Sequence, residues 1–225
     1  MLISESNQFV FLHNPKCAGT SIRQALLACD TTSNFFWMYD DWNGAKIDKA
    51  HLPLYILRNK YPQYFSLLER YFTFVFVRSP YERYISAFNE INSKLFMAMK
   101  TSAKLHEYEF ALNEFALRLD DTNIKGWTYE FRHFVRQIDI MYLENKCYAD
   151  LILKVEELPY NLQRLSTLRP DIARLLTNLP RNNARPTGVD AISLLSDETI
   201  QRLNRIYAED FALFGYRLEP CVGDP

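Results

Sequence analysis

Residues 9–26 read FVFLHNPKCAGTSIRQAL, and this stretch decides the fold. Phe9–Leu12 is a short apolar run, and the polar loop after it ends in the small residues Ala18 and Gly19. The chain then continues into IRQAL at residues 22–26. This order of apolar run, polar loop and renewed apolar residues predicts a strand, a loop and a helix.

A second stretch, FTFVFVRSP at residues 72–80, has the same order. Phe72–Val77 is β-branched or aromatic throughout, which is typical of a central parallel strand that helices cover on both faces. Pro80 suits the first turn of a helix, and we predict that this helix continues over residues 81–99. The chain therefore contains two strand, loop and helix units.

Alternating elements continue toward the C-terminus. Leu151–Val155 is a third apolar run, whereas residues 30–50 are polar and aromatic without a clear period and are expected to be irregular. Further helices are predicted over residues 60–70, 106–119, 158–168 and 196–211. We therefore predict an α/β protein with three layers, in which helices flank a central parallel sheet.

The composition is that of an ordinary globular protein. The chain has 225 residues, of which 48% are hydrophobic and 24% are charged. Disordered, collagen-like and coiled-coil sequences have different compositions. The length fits one α/β domain with a full core, and neither a repeat nor a Gly/Ser linker divides it. We predict a single domain over residues 1–225.

Charge and cysteine usage exclude several classes of function. The 26 basic and 27 acidic residues give a net charge of −1, so no general positive field attracts nucleic acid or an anionic membrane. The cysteines form no CxxC or Cys/His cluster, so we interpret them as reduced thiols and expect no zinc site. Neither a signal peptide nor a membrane span is visible, which predicts a cytoplasmic protein.

The loop after the first strand has the chemistry of an anion site. Ala18 and Gly19 let an anion approach the backbone amides at the helix start, where the helix dipole also favours negative charge. Thr20 and Ser21 add hydroxyl groups, and Lys16 adds a full positive charge. An ordinary capped helix with a solvated lysine is the alternative. A Walker A loop fits poorly, because here the lysine precedes the glycine.

The loop after the second strand offers a second anion grip. Arg78 follows the strand directly, and Ser86 lies two turns into the predicted helix. Together they can hold one phosphate, Arg78 by its forked guanidinium and Ser86 by its hydroxyl. A salt bridge of Arg78 and a Ser86 that packs on a neighbouring helix are the alternative.

Both loops resemble the donor-binding motifs of one enzyme family. HNPKCAGTSI at residues 13–22 resembles the 5′-phosphosulfate motif of sulfotransferases that use 3′-phosphoadenosine 5′-phosphosulfate (PAPS), commonly HxPKTGGTS. FVFVRSPYERYISAF at residues 74–88 resembles their 3′-phosphate motif, commonly FVRDPYERLVSAY. The likeness is to the carbohydrate branch and its bacterial relatives, and fainter matches, among them His133-Phe134 with Gln137, extend over nearly the whole chain. Cys17-Ala18 departs from the usual Thr-Gly, Ser79 from Asp or Asn, and Asn14 from an apolar residue.

The resemblance implies a P-loop-like fold and sulfuryl transfer from PAPS to an acceptor hydroxyl or amine, leaving adenosine 3′,5′-bisphosphate. Lys16 would stabilise the charge on the leaving phosphate, and direct transfer needs neither a metal nor a cysteine nucleophile. Cys17 is therefore interpreted as a spacer. The predicted donor-binding residues are Lys16, Cys17, Ala18, Gly19, Thr20, Ser21, Arg78, Ser86, Asn183 and Arg185.

A general base must accept the proton of the acceptor, and histidine is suited to that role near neutral pH. His51 is the predicted base, because it lies between the two loops and its position resembles that of the family's catalytic histidine. His133 is the second candidate for the base. His133 and Arg136 are alternatively predicted to contact an anionic acceptor.

Two other functions stay open at this point. A nucleotide-dependent kinase is disfavoured because neither a Walker A lysine nor a convincing strand-end aspartate is visible. A degenerate nucleotide-binding module would explain Cys17-Ala18 but not the intact Lys16 and Arg78. The acceptor predicted from the resemblance is a carbohydrate or glycolipid, on which Phe35, Phe36, Trp37, Tyr39 and Trp42 could stack, although the same residues could cover the core. The oligomeric state is not readable from the sequence.

Overall fold

A computed structural model describes residues 1–99, 104–125, 129–177, 179 and 192–220. The chain divides into two compact units. The first unit consists of Met1–Arg78 and Thr128–Asn183, and the second of Ser79–Trp127 and Ala184–Pro225.

The elements are numbered along the chain. The strands are β1 (Leu2–Ser4), β2 (Phe9–Leu12), β3 (Tyr39–Trp42), β4 (Ala45–Asp48), β5 (Phe72–Val77), β6 (Tyr142–Leu143), β7 (Lys146–Cys147) and β8 (Leu151–Lys154). The α-helices are α1 (Gly19–Leu26), α2 (Leu54–Lys60), α3 (Pro62–Phe65), α4 (Pro80–Ile91), α5 (Ser93–Met99), α6 (Leu105–Leu117), α7 (Asp121–Lys125), α8 (Ile138–Met141), α9 (Leu158–Leu168), α10 (Pro170–Leu175), α11 (Asp197–Ile206) and α12 (Ala208–Phe214). Short 3₁₀ helices cover Leu27–Cys29, Phe35–Trp37, Lys49–His51, Ser66–Glu69, Tyr129–Phe131, Val155–Glu157 and Ile192–Leu194.

The first unit is built on a four-stranded sheet with the order β1-β2-β5-β8. β2 pairs in parallel with β5, and β5 pairs in parallel with β8. β1 joins the edge of the sheet antiparallel to β2. The three predicted strands thus form the parallel part of the sheet, and the predicted α/β class is confirmed. Because β2 and β5 are parallel neighbours, their carboxyl ends lie at the same edge, where ligands bind in open α/β sheets.

The sheet is buried on both faces. Phe9, Phe11, Phe74 and Phe76 belong to one hydrophobic cluster. Helices α1, α9 and α10 complete this cluster with Ile22, Leu26, Leu165, Ile172 and Ala173, and Leu176 directly after α10 also belongs to it. The alternate residues of β2 and β5, Val10, Leu12, Val75 and Val77, are also buried. The burial of both faces explains the nearly continuous apolar runs that predicted these strands.

Residues 30–50 are more regular than predicted. β3 and β4 form an antiparallel hairpin in this segment. Asn43 and Gly44 connect the two strands with φ of 52° and 79°. These are left-handed angles, which a two-residue hairpin turn requires at both positions. The prediction of an irregular segment was wrong here because the Asn-Gly signal was overlooked between strands of mixed polarity.

Three predicted helices are interrupted. The helix predicted over residues 196–211 is divided at Tyr207 into α11 and α12. The helix predicted over residues 60–70 is α3 followed by a 3₁₀ turn, because Pro62 starts a new helix after α2 has ended at Lys60. The helix predicted over residues 81–99 is divided at Asn92 into α4 and α5. Pro80 stands in the first turn of α4, as predicted.

The second unit is helical where the structure describes it. α6 packs against α4 and α11, and Phe88 on α4 contacts Tyr108 and Phe115 on α6, with ring centroids 5.6 and 5.8 Å apart. Ser196 caps α11 as predicted, since its Oγ accepts a hydrogen bond of 3.2 Å from the Thr199 amide. Within the described ranges, no helix has both the length and the apolar character that crossing a membrane requires.

Candidate functional site

The loop between β2 and α1 has an unusual backbone. Lys16 and Ala18 have φ of 62° and 58°, whereas Cys17 between them does not have a positive φ. Alternation of right- and left-handed residues is the backbone pattern of nests, in which successive N–H groups turn toward one side and can bind an anion. α1 begins directly afterwards at Gly19, and the first amides of a helix have no partner within it. The loop that carries Lys16 therefore lies at the carboxyl end of β2 and leads directly into a helix start with unpartnered amides.

Gly19 is required by its contact with His13. A Cβ atom at Gly19 would overlap the imidazole ring of His13. This ring is buried, and it stacks parallel to Trp37 with centroids 5.7 Å apart. Burial lowers the pKa of His13 well below its usual value, and the nearby His51 lowers this pKa further. His13 is therefore a neutral side chain that packs between Gly19, at the start of α1, and Trp37.

The side chains of the other loop residues differ in burial. Cys17 is buried, and its Sγ lies 3.4 Å from Gln137 Oε1 and 3.4 Å from the Pro15 carbonyl oxygen. The Cys17 side chain is thus packed inside the protein, and its role as a spacer stays a prediction. Thr20 is exposed and Ser21 is half-buried at the start of α1.

Arg78 directly follows β5 and reaches the same loop. Its Nη1 donates a hydrogen bond of 3.5 Å to the carbonyl oxygen of Lys16. Its backbone N–H and C=O both bond to the Gln137 side chain, each at 2.9 Å. The structure therefore brings Lys16 and Arg78 together, although 62 positions separate them along the chain.

Ser86 lies half-buried on α4 and belongs to the second unit. Its predicted grip on one phosphate together with Arg78 joins residues of the two units and stays a prediction. Asn183 and Arg185, the other predicted donor-binding residues, lie outside the described residues.

His51 is held in one tautomer. It ends the 3₁₀ helix Lys49–His51, whose first residues are capped by Asp48, since Asp48 Oδ1 accepts from the Ala50 amide at 3.0 Å. Nδ1 of His51 lies 3.1 Å from the carbonyl oxygen of His13. A carbonyl oxygen only accepts, so Nδ1 carries the proton and Nε2 is the nitrogen that can take up another. This is the protonation state that a general base needs.

His133 and Arg136 occupy different surroundings. His133 is buried, and its ring stands edge-on to His51 with centroids 5.1 Å apart. Arg136 forms a forked pair with Asp139, with Nε–Oδ2 and Nη2–Oδ1 distances of 3.0 and 2.7 Å. His133 thus lies beside the predicted base, whereas the guanidinium of Arg136, just before α8, is engaged with the carboxylate of Asp139 in the first turn of that helix. Their contact with an acceptor stays a prediction.

Asp48, His51 and His133 also form a group whose possible metal-ligating atoms lie within 4.8 Å of one another. The carboxylate of Asp48 faces Arg132, whose Nε is 3.4 Å from Oδ2. The positive charge of Arg132 balances that carboxylate and would compete with a cation. The expectation that the reaction needs no metal stays a prediction.

Two residues contribute more to the site than sequence reasoning found. Gln137 joins the loop to the end of β5, and Trp37 covers His13. Gln137 was noticed only through the faint match at His133-Phe134, because a lone glutamine has no local signature. Asn14, which stands where the family commonly has an apolar residue, places a side-chain donor 3.0 Å from Gln137 Oε1.

Comparison with known proteins gives one match. The model of the Sulfotransferase family matches residues 1–217, which covers nearly the whole chain and parts of both units. No curated protein and no solved structure matches significantly.

Proposed function

Since the chain belongs to the sulfotransferase family, we propose that it transfers the sulfuryl group of PAPS to an acceptor hydroxyl, leaving adenosine 3′,5′-bisphosphate. The family match makes the chain a transferase with the family's P-loop-like fold. One observation carries the choice of donor: the left-handed Lys16 and Ala18 open the loop at the start of α1, and Arg78 reaches the Lys16 carbonyl oxygen from β5. The Arg78 guanidinium thus lies against the backbone of the loop that carries Lys16, which supports a donor with two phosphate-bearing ends.

The donor set fits PAPS chemically. The loop amides and the Thr20 and Ser21 hydroxyls would hold the 5′-phosphate, and Lys16 would neutralise the charge that develops when its bond to sulfur breaks. Arg78, with Ser86, would hold the 3′-phosphate by charge-assisted hydrogen bonds. PAPS supplies the activated sulfuryl group, and the protein contributes positioning and electrostatic stabilisation.

His51 is proposed as the general base that takes the acceptor proton. Its Nδ1–H bond to the His13 carbonyl oxygen keeps Nε2 as the basic nitrogen. We expect His51→Ala to lower kcat by about 10²–10⁴-fold while affinity for adenosine 3′,5′-bisphosphate stays unchanged. His106→Ala is the matched control, since His106 is exposed on α6 in the second unit. A His51→Ala variant with wild-type kcat would remove His51 from this role and leave His133 as the candidate.

A carbohydrate acceptor is proposed from the aromatic surface near His51. Trp37 and Tyr39 are 44% and 54% exposed, and Trp37 is one ring removed from His51, with His13 between them. Exposed aromatic faces of this kind can stack on a sugar ring, as Tyr and Trp do at other binding surfaces. Phe36, in contrast, is buried, and Phe35 packs against it with centroids 5.0 Å apart, so these two residues cover the core.

Cationic side chains border the same aromatic surface. Nζ of Lys46 lies 4.0 Å from the ring centroid of Tyr39 and 4.3 Å from that of Tyr129. Such a combination suits an acceptor that carries both a sugar ring and a negative charge.

The second unit is proposed to complete one domain with the first, because the family match includes parts of both. The cytoplasmic location stays a prediction.

Ligand-dependent stability tests the proposed donor. Thermal unfolding is measured with adenosine 3′,5′-bisphosphate, with ATP and magnesium, and with adenosine 5′-phosphate. A ligand at about 100 times its dissociation constant adds about 2.7 kcal/mol to the free energy of unfolding. We expect the bisphosphate to give the largest shift, and Lys16→Ala and Arg78→Ala to reduce it.

Lys146→Ala and Arg70→Ala are the matched controls, because both residues are exposed in the first unit and away from the loop. They are expected to keep the full shift. A shift with ATP and magnesium alone would favour a kinase instead. The absence of any shift would favour a module that has lost nucleotide binding.

A further inference from the structure

Gln137 is fully buried directly before α8. Its side-chain amide engages both backbone polar groups of Arg78: Oε1 accepts from the Arg78 N–H and Nε2 donates to the Arg78 C=O, each at 2.9 Å. The glutamine thus continues the hydrogen-bond pattern of the sheet beyond the last residue of β5. This contact fixes the point from which the Arg78 side chain leaves the strand.

The same amide oxygen also holds the loop after β2. Oε1 accepts a hydrogen bond of 3.0 Å from Asn14 Nδ2, and the Cys17 thiol lies 3.4 Å from it. Asn14 Nδ2 additionally donates to the Phe76 carbonyl oxygen on β5 at 3.0 Å. One planar side chain therefore ties two loop residues to the end of the neighbouring strand.

The contacts at position 137 require a donor and an acceptor on one side chain, which a primary amide supplies. A primary amide has two donors and an acceptor oxygen in one plane, whereas a carboxylate only accepts and an aliphatic side chain does neither. Because the group is buried, any bond that a substitution removes leaves a backbone or side-chain partner without water to replace it. The composition of the contact thus specifies glutamine and not merely a residue of this size.

We infer that Gln137 is a positioning residue that sets the spacing between the loop at Lys16 and the guanidinium of Arg78. The inference rests on the proposed function, in which these two groups hold the 5′- and 3′-phosphate ends of one donor. A ligand with both phosphates depends on this spacing, whereas a ligand with only the 5′-phosphate depends on the loop alone. Gln137 touches neither phosphate in this scheme and acts through the backbone of Arg78 and the side chains of Asn14 and Cys17.

Two ligands distinguish positioning from a merely structural role. The affinities for adenosine 3′,5′-bisphosphate and adenosine 5′-phosphate are measured by calorimetry on the full chain. The affinity of the weaker ligand is obtained from a titration in which the stronger ligand displaces it. We expect Gln137→Met to lower the affinity for the bisphosphate by about tenfold or more, because the substitution removes a buried hydrogen-bond partner. The affinity for the monophosphate should fall by a clearly smaller factor, because the loop loses its contacts with Gln137 but keeps the Asn14 bond to the Phe76 carbonyl oxygen. Gln163→Met on the exposed side of α9 is the matched control and should change neither affinity.

Asn14→Ala keeps the measurement informative if Gln137→Met fails to fold. It leaves Gln137 and Arg78 in place and removes the two hydrogen bonds of the Asn14 side chain, to Gln137 and to the Phe76 carbonyl oxygen. The preference for the bisphosphate over the monophosphate should therefore fall by a smaller factor than in Gln137→Met. An equal loss for both ligands, or no loss, would overturn the positioning role while the wild type still binds the bisphosphate. A wild-type protein that does not bind the bisphosphate would overturn the proposed donor, and the positioning role with it.

Discussion

Replacing Ala18 by glycine is expected to stabilise the protein, although an alanine-to-glycine change within a helix or strand usually lowers stability. Ala18 has φ of 58° and ψ of 13°, which is the left-handed conformation. This conformation costs a residue with a Cβ atom about 1–2 kcal/mol, and glycine nothing comparable. Glycine in turn adds conformational freedom to the unfolded chain, which costs about 0.4–1 kcal/mol. The net expectation is a gain of about 0.5–1 kcal/mol in the free energy of unfolding.

The opposite sign is expected for the same substitution ten residues later. Ala28 is exposed in the 3₁₀ helix Leu27–Cys29 and does not have a positive φ. Ala28→Gly therefore gains no strain relief and should lose about 0.5–1 kcal/mol. The pair compares one chemical change in two backbone conformations of the same segment.

Urea unfolding measures both variants against the wild type. With an m-value of about 2–3 kcal/mol/M, a change of about 0.5–1 kcal/mol moves the midpoint by about 0.2–0.5 M, upward for Ala18→Gly and downward for Ala28→Gly. The m-value should stay constant, so that the shift reports stability and not a change in the unfolded state. A downward shift of equal size in both variants would refute a left-handed backbone at Ala18.

Three further outcomes are expected. Gly19→Ala should lower stability by about 1–3 kcal/mol because its Cβ overlaps the buried His13 ring, and an unchanged midpoint would contradict this contact. The lowered pKa of His13 means that the unfolded chain binds the proton more tightly, so stability is greatest above about pH 6.5 and declines as the pH falls. One group contributes at most about 1.4 kcal/mol per pH unit to this decline, and His13→Phe should reduce it. If the free energy of unfolding falls with the same slope against pH in both proteins, His13 is not the source of the decline. Ser196→Ala removes the acceptor for the Thr199 amide at the start of α11 and should cost about 1 kcal/mol in urea unfolding, whereas Ser196→Asp should retain most of the stability.

The fold class followed from local patterns. FVFL and FTFVFV predicted β2 and β5 with the bounds that the structure has, because strands buried on both faces must be apolar at every position. Pro80 predicted the start of α4, since proline lacks an N–H that the first turn does not use. Local preferences failed where a single residue interrupts a periodic pattern, as Asn92 does between α4 and α5.

The composition of the candidate site was also readable in part. Arg78 directly follows β5, and Lys16 and Gly19 lie between the end of β2 and the start of α1. These residues belong to motifs that resemble a known family, and the sequence alone was enough to name them as candidates. The sequence did not explain why Gly19 must be glycine. That reason is the ring of His13, six residues earlier, which the loop folds back onto the helix start.

Tertiary structure alone decided how the two loops are connected. Gln137 lies 59 residues from Arg78 and 123 residues from Asn14, yet one side-chain amide bonds to both. The tautomer of His51 likewise depends on a carbonyl oxygen 38 residues away. Strands and helices have a hydrophobic periodicity among neighbouring residues, so local sequence is enough to predict them. Hydrogen bonds between distant segments arise only when the parallel sheet brings the ends of β2 and β5 to the same edge.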